Sequence, residues 1–184
     1  LGGCLHHGTT GWINLLRTLA GTDAPTLRTE LLKTLVAHLE AEGTTAQCMV
    51  AAPADVPLLT ALGFTPQQEI LRYTGGKFLQ ATRDEVDHLE PWHRMAVLRM
   101  DQRANGSDRS TLLLEHEYLG RVYSEGNAVR GFTLALLGEG LIIADTAYAG
   151  LELQRWHFPI QEHILLPAGN AAAHAHLTER GYRN

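Results

Sequence analysis

The chain has 184 residues, 45% of them hydrophobic, with 15 basic and 20 acidic side chains and a formal net charge of −5. This length allows one domain or two small ones, and that apolar content fills a core, which excludes a disordered chain. The basic residues are scattered rather than gathered into a face, so no nucleic-acid partner is expected.

The first residues, "LGGCLHHG", read as the middle of a strand region, and "GWINLLRTLA" (Gly11 to Ala20) as a near-continuous apolar strand. The chain opens at Leu1 without a charged and apolar leader pattern, so its first domain is expected to lack its start. "GTDAP" forms a turn, with Asp23 or Thr26 placed to cap a helix. From Thr26 to Glu42 the apolar residues Leu27, Leu31, Leu32, Leu35, Val36 and Leu39 recur at helical spacing, and Gly43 closes the run. "AQCMVAA" reads as a buried strand ended by Pro53, which cannot donate to a sheet ladder. Val56 to Leu62 gives a short helix stopped by Gly63, "QEILRYT" a strand, and Gly75-Gly76 the clearest break in the chain.

Residues 77 to 117 are charged and predicted helical, with turn chemistry at "RANGSD". Strands follow at "GRVYSE", "VRGFTLAL" and "GLIIADTA", the first two joined by Gly126-Asn127 as an antiparallel hairpin over 119–137. "YAGLELQRWH" is a helix, and "ILLPAGNAAAHAHLTERGYR" (Ile164 to Arg183) gives a strand, a Pro break, a helix opened by Asn170 and a Gly-aromatic stop. Strand–helix–strand recurs in both halves, so parallel strands joined by crossover helices are expected.

That closing stretch echoes "MVAAPADVPLLTALGF" (Met49 to Phe64). Matching the Gly-aromatic stops pairs Gly63-Phe64 with Gly181-Tyr182 and Leu59 with Leu177, and brings Pro53 near Pro167. The echo fits two copies of one domain type. It also fits the common ending of any αβ unit, Gly followed by an apolar residue.

Asn170, Ala173, Leu177, Gly181 and Tyr182 follow N-x-x-A-x-x-x-L-x-x-x-G-aromatic. This spacing resembles the fifth-strand, fourth-helix unit of the GNAT superfamily of acetyl-CoA-dependent N-acetyltransferases. The run "MDQRANGSDRSTLLLEHEYLGRVYSEGNAVRGFTLAL" is similar to the entry into the second domain of tandem bacterial GNAT proteins. The first half resembles the later part of a first domain. The resemblance implies an α/β fold of two tandem GNAT-like mixed-sheet domains. The first, residues 1–76, lacks its N-terminal part, and the second covers residues 77–184 and stops at Asn184 before its final strand pair. It implies transfer of acetyl from acetyl-CoA to an amine of a small molecule or protein.

In that family the pantetheine arm lies where two parallel strands splay, and the pyrophosphate sits on a Gly-rich turn opening a helix, where free N–H groups favour anions. The resemblance places cofactor contacts at Asn170, Arg28, Thr26 and the strand residue Leu16. Asn170 reads equally as an ordinary N-cap, and the two roles are compatible. Arg28 reads as a bidentate phosphate partner or as a solvent-facing residue of an amphipathic helix. The chain departs from the family where Thr26 and Arg28 replace two glycines, and where Asp23 replaces a basic residue. In the second half only Gly150 remains of the Gly-rich turn. Leu59 and Leu177 stand where the family's acid tyrosine often sits, and leucine donates no proton. By residue type alone, Tyr148 and Tyr182 are the candidate acids, and His6 or His7 the candidate base, since their strand borders the expected acceptor cleft.

Other histidines show no metal pattern. His6-His7 are adjacent on a strand, His174 and His176 are two apart on a helix, and neither pair shares a face. "HLEPWH", with His88, Glu90 and His93, has no recognised ligand spacing, and no metal is expected. Cys4 and Cys48 stand far apart, without a disulfide framework. Two free thiols make a cytoplasmic location the simple expectation, and Gly138, Glu139 and Asp145 break the best apolar run, so no membrane partner is expected. The abrupt ends suggest pairing between chains as a homodimer. The eroded site leaves two alternatives to the enzyme: a non-catalytic GNAT-fold module binding a ligand or partner, and a metal-dependent protein using the histidines.

Overall fold

The computed structural model describes residues 1–19, 24–76, 85–137, 140–157 and 163–184. They form two compact units, Leu1–Gln67 and Gln68–Asn184. Asp23, one of the two expected caps, lies outside the described residues.

In the first unit, strands β1 (Gly2–His7) and β2 (Thr10–Leu16) form an antiparallel hairpin. Its turn carries Gly8 at a positive φ of 55°, a conformation that glycine adopts without steric cost. Helix α1 (Ala24–Ala41) lays Leu32, Leu35 and Leu39 against Ile13 and Leu16. Gly11 lets it lie close, since a Cβ there would come within 2.8 Å of Leu39. Strand β3 (Ala46–Met49) then runs parallel to β2, from Thr10 opposite Ala46 to Ile13 opposite Met49. Beyond Ile13, β2 continues to Leu16 without β3 beside it. A short 3₁₀ turn leads into α2 (Val56–Ala61), whose Leu59 closes the core.

The second unit opens with β4 (Ile70–Gly75). This strand precedes the expected domain break at Gly76, yet its ladders are all within the second unit. Next come β5 (Val86–His88), α3 (Arg94–Asn105), α4 (Ser110–Glu115), β6 (Arg121–Glu125), β7 (Ala128–Leu134) and β8 (Leu141–Ala144). Then follow α5 (Ala147–His157), β9 (His163–Pro167), α6 (Ala171–Glu179) and β10 (Tyr182–Arg183). The helical expectation for residues 77–117 fails at β5. Val86 is buried and the segment pairs antiparallel with β6, so tertiary pairing overrides local composition.

Two sheets result, β5-β6-β7-β8 and β10-β4-β9, and all their described ladders are antiparallel. The neighbours Val122 and Tyr123 on β6 enter different clusters, as alternation along a strand requires. Val122 joins Phe132 and Leu134 under Val97, Met100 and Leu113 of α3 and α4. Tyr123 joins Ala149 and Leu153 of α5. Helix α6 covers the other sheet, with Ala173 and Leu177 on Tyr73, Ile164, Leu166 and Tyr182. Both α2 and α6 end before a left-handed glycine, Gly63 at φ 91° and Gly181 at φ 79°.

Candidate cofactor cleft

Among the described residues of the second unit, β8 pairs with β7 and β9 pairs with β4, and no ladder joins β8 to β9. Crossover α5 links these two strands, and the gap between them is a cleft of about 560 Å³. Its walls are largely apolar, with Leu141, Ile142, Ile164, Leu166 and Ala173 among them. One face of α5 looks into the cleft through Ala147, Gly150, Leu151 and Gln154, spaced i, i+3, i+4, i+7. The opposite face, with Ala149 and Leu153, is fully buried in the core.

Two helix starts meet the cleft. Asn170 lines it and caps α6, its Oδ1 accepting from the Ala173 N–H at 3.2 Å. The Pro167 carbonyl fixes this turn by accepting from the Asn170 N–H at 2.9 Å and from His174 Nε2 at 3.0 Å. His174 Nδ1 in turn lies 2.8 Å from the Tyr73 hydroxyl. A carbonyl only accepts, so neutral His174 carries its proton on Nε2 and accepts from Tyr73 at Nδ1. At the other start, Thr146 caps α5, its Oγ1 accepting from the Ala149 N–H at 3.2 Å. Asp145 beside it puts a carboxylate on the cleft wall, held by Arg103 Nη2 at 3.3 Å. That carboxylate opposes an anion where the helix dipole would favour one.

Three lining residues escaped the sequence reading: Asp145 as a wall residue, His163 and Gln154. His163, the first residue of β9, is the sole imidazole on the wall among the described residues. Gln154 is 6% exposed, and its Oε1 has no hydrogen-bond partner among the described residues. A lone histidine at a strand start and a lone glutamine in a helix carry no sequence signal for a cleft.

The other sequence candidates lie elsewhere. Tyr148, second in α5, sets its ring edge-on to Tyr123 at 5.9 Å between centroids and does not line the cleft. Tyr182 packs in the α6 core, where burial raises its hydroxyl above its ordinary pKa.

The first unit has its own hollow, about 350 Å³, where β2 has run past β3. It is lined by Thr18, Pro25, Arg28, Thr29, Asp55 and Leu58, among others. Arg28 donates from Nη2 to Asp55 Oδ2 at 2.6 Å, so its charge is already matched by a carboxylate. Thr26 is exposed on the first turn of α1, and the Leu16 side chain is buried in the core; neither lines the hollow. His7 sits at the hairpin turn opposite Thr10. From Thr10 to Leu16, β2 covers about 20 Å of extended chain, and Thr18 lies beyond its other end, so His7 is at the far end from the hollow. His6 lies 3.8 Å from Glu42. Among the described residues no group of three His, Cys, Asp or Glu side chains is placed to hold a metal ion.

No family model matches the chain, and no curated protein matches it in sequence. A solved structure at 2.25 Å, "A Putative Acetyltransferase" from Pyrococcus horikoshii, is similar in fold, with a TM-score of 0.76 at 18% sequence identity. The likeness covers 99% of this chain and 64% of that one, so this chain spans under two thirds of its neighbour. The chain therefore has the mixed α/β fold of a protein described as an acetyltransferase, and at this identity the likeness concerns the fold alone.

Proposed function

We propose that the cleft between β8 and β9 binds acetyl-CoA, and that the protein is a GNAT-type N-acetyltransferase acting on an amine of a small molecule or protein. One observation carries this reading: two strands linked by a helix crossover stand apart without a ladder, beside a capped helix start at Asn170. Exposed strand edges in such a gap offer N–H and C=O groups to an extended arm, and Ala147 and Gly150 leave it room. We take the two units as copies of one domain type, on the paired Gly-aromatic stops.

The fit differs along the cleft. Its apolar walls and strand edges suit the pantetheine arm. Its phosphate end is poorer, because Asp145 faces it and Arg103 is the nearby cation. When bound, acetyl-CoA supplies an activated thioester. The chain's residues would then hold the arm between β8 and β9 and exclude water with Ile142, Ile164 and Leu166. His163 is the imidazole on the wall able to take a proton from the attacking amine.

A second reading, a non-catalytic ligand-binding module, is favoured by the acid position. Leu177 is fully buried, and no tyrosine lines the cleft among the described residues. Calorimetry with acetyl-CoA, followed by thiol-release assays on an amine panel, separates the two. The enzyme reading expects binding, turnover, and a loss of about 10²-fold or more in turnover for His163→Ala, with affinity retained. No binding at high micromolar acetyl-CoA sinks the proposal. Binding without thiol release for any amine favours the module.

A further inference from the structure

The start of α6 is a wall of the cleft with little apolar weight behind it. Its first turn is Ala171, Ala172 and Ala173, of which Ala173 alone is buried, and the next buried side chain is Leu177, a turn further on. Ala168 and Gly169 precede it and add almost no side chain. Methyl groups bury little area, so packing holds this turn weakly. What holds it is polar. The Pro167 carbonyl, at the end of β9, accepts from the Asn170 N–H at 2.9 Å and from His174 Nε2 at 3.0 Å. His174 thus reaches back across the turn, and its Nδ1 lies 2.8 Å from the Tyr73 hydroxyl. Tyr73 is buried on β4, opposite Ile164 of β9. One imidazole therefore ties α6 to the end of β9 and to the strand behind it.

We infer that His174 and Tyr73 are positioning residues: they hold the turn from Pro167 to Asn170, and with it the first turn of α6, in the place where a ligand of the cleft meets it. Neither residue lines the cleft, whereas Pro167, Asn170, Ala172 and Ala173 all do. Both nitrogens of His174 are engaged behind the wall, so the imidazole acts on the cleft through the shared Pro167 carbonyl. With that hold released, the Asn170 N–H is the carbonyl's remaining partner, and a turn of small residues opens more readily. A ligand then has to order the turn as it binds, which weakens its affinity. This rests on the cleft reading above and adds that the cleft is set from behind, by residues outside its lining.

The test compares wild type with three variants. Tyr73→Phe removes the hydroxyl and keeps the ring, and His174→Ala removes both hydrogen bonds. His174→Gln keeps one N–H donor and one oxygen acceptor, as the neutral imidazole has. Acetyl-CoA binding is measured by calorimetry at a temperature where every variant is fully folded, so a general loss of stability does not enter. Hydrogen exchange of residues 168–176 is read without ligand by mass spectrometry. Affinity should fall about fivefold in Tyr73→Phe and about tenfold in His174→Ala. The double variant should be no weaker than His174→Ala, because both changes break one chain of hydrogen bonds. His174→Gln should stay within about threefold of wild type. Exchange should quicken in residues 168–176 of Tyr73→Phe and His174→Ala and stay unchanged in the β6–β7 hairpin. Equal affinity in wild type and His174→Ala overturns the inference and leaves the cleft reading standing. So does a His174→Gln variant as weak as His174→Ala, since the ring rather than its hydrogen bonds would then set the turn. If wild type binds no acetyl-CoA, the transferase reading fails and exchange decides this one. A rise confined to residues 168–176 upholds the hold on the turn, and an unchanged or uniform rate overturns it.

Discussion

Gly150 sets two demands against each other. It lies inside α5, where glycine costs up to about 1 kcal/mol relative to alanine. A Cβ added there would meet only Ala144, at an ordinary 3.6 Å. Nothing in the packing of the described residues therefore requires glycine. Gly150→Ala is expected to stabilise the protein by up to about 1 kcal/mol, read as a rise of about 2–4 °C in the thermal midpoint. The same methyl narrows the cleft wall, so acetyl-CoA affinity should fall while stability rises. A drop in the midpoint would show a strained backbone at Gly150 and refute this account. At this scale the sequence disclosed the cap better than the cleft. Asn170 was legible because capping is written within four residues of chain, whereas Gln154 and His163 acquire meaning only when strand and helix meet.

Among the elements, α3 and α4 are joined by a buried ion pair. Asp101 is 1% exposed and accepts from Arg109 through Nε, at 3.1 Å, and Nη2, while Asn105 Nδ2 donates to its Oδ1 at 2.9 Å. The pair thus ties the end of α3 to the residue preceding α4. Removing one partner leaves a buried charge uncompensated. Arg109→Met should cost about 3–5 kcal/mol, and the double change Arg109→Met with Asp101→Leu should recover most of it, as measured by denaturant titration. If the double variant is no better than the single, the site works through packing rather than charge. Element by element, the long periodic helix α1 and the β6–β7 hairpin were plain in the sequence, because hydrophobic spacing and turn chemistry are local. Strand β5 was not, since three residues with Val86 as their one apolar member form a strand only through β6. The gap between β8 and β9 was not legible in the residues of those strands; the resemblance implied only that two parallel strands splay somewhere in the fold.

For the molecule as a whole, the proposed function would have an acidic chain take an anionic cofactor. The net charge is −5, and Asp145 stands on the cleft wall with Arg103 against it. A basic phosphate cradle would lose affinity as salt screens it. Here, raising salt from about 50 to about 300 mM should leave acetyl-CoA binding unchanged or tighten it by about twofold, because the screened interaction is repulsive. A steep fall in affinity with salt would reveal a cationic site other than the one described. Composition alone carried this charge balance. It could not carry the pairing of β4 with β9 and β10, because that ladder joins residues remote in sequence, such as Tyr73 and Ile164.

That remoteness has a consequence in time. Strand β4 leaves the ribosome about ninety residues before β9, an interval on the order of 5–20 s at ordinary synthesis rates. Throughout it, Leu71 and Tyr73 have neither the ladder nor the α6 core that later covers them. The sheet β10-β4-β9 is therefore the last to close, and its first-made strand sits at the centre of the order. During synthesis the nascent chain carries a sticky strand with both edges open, which is where chaperone capture and misassociation would concentrate.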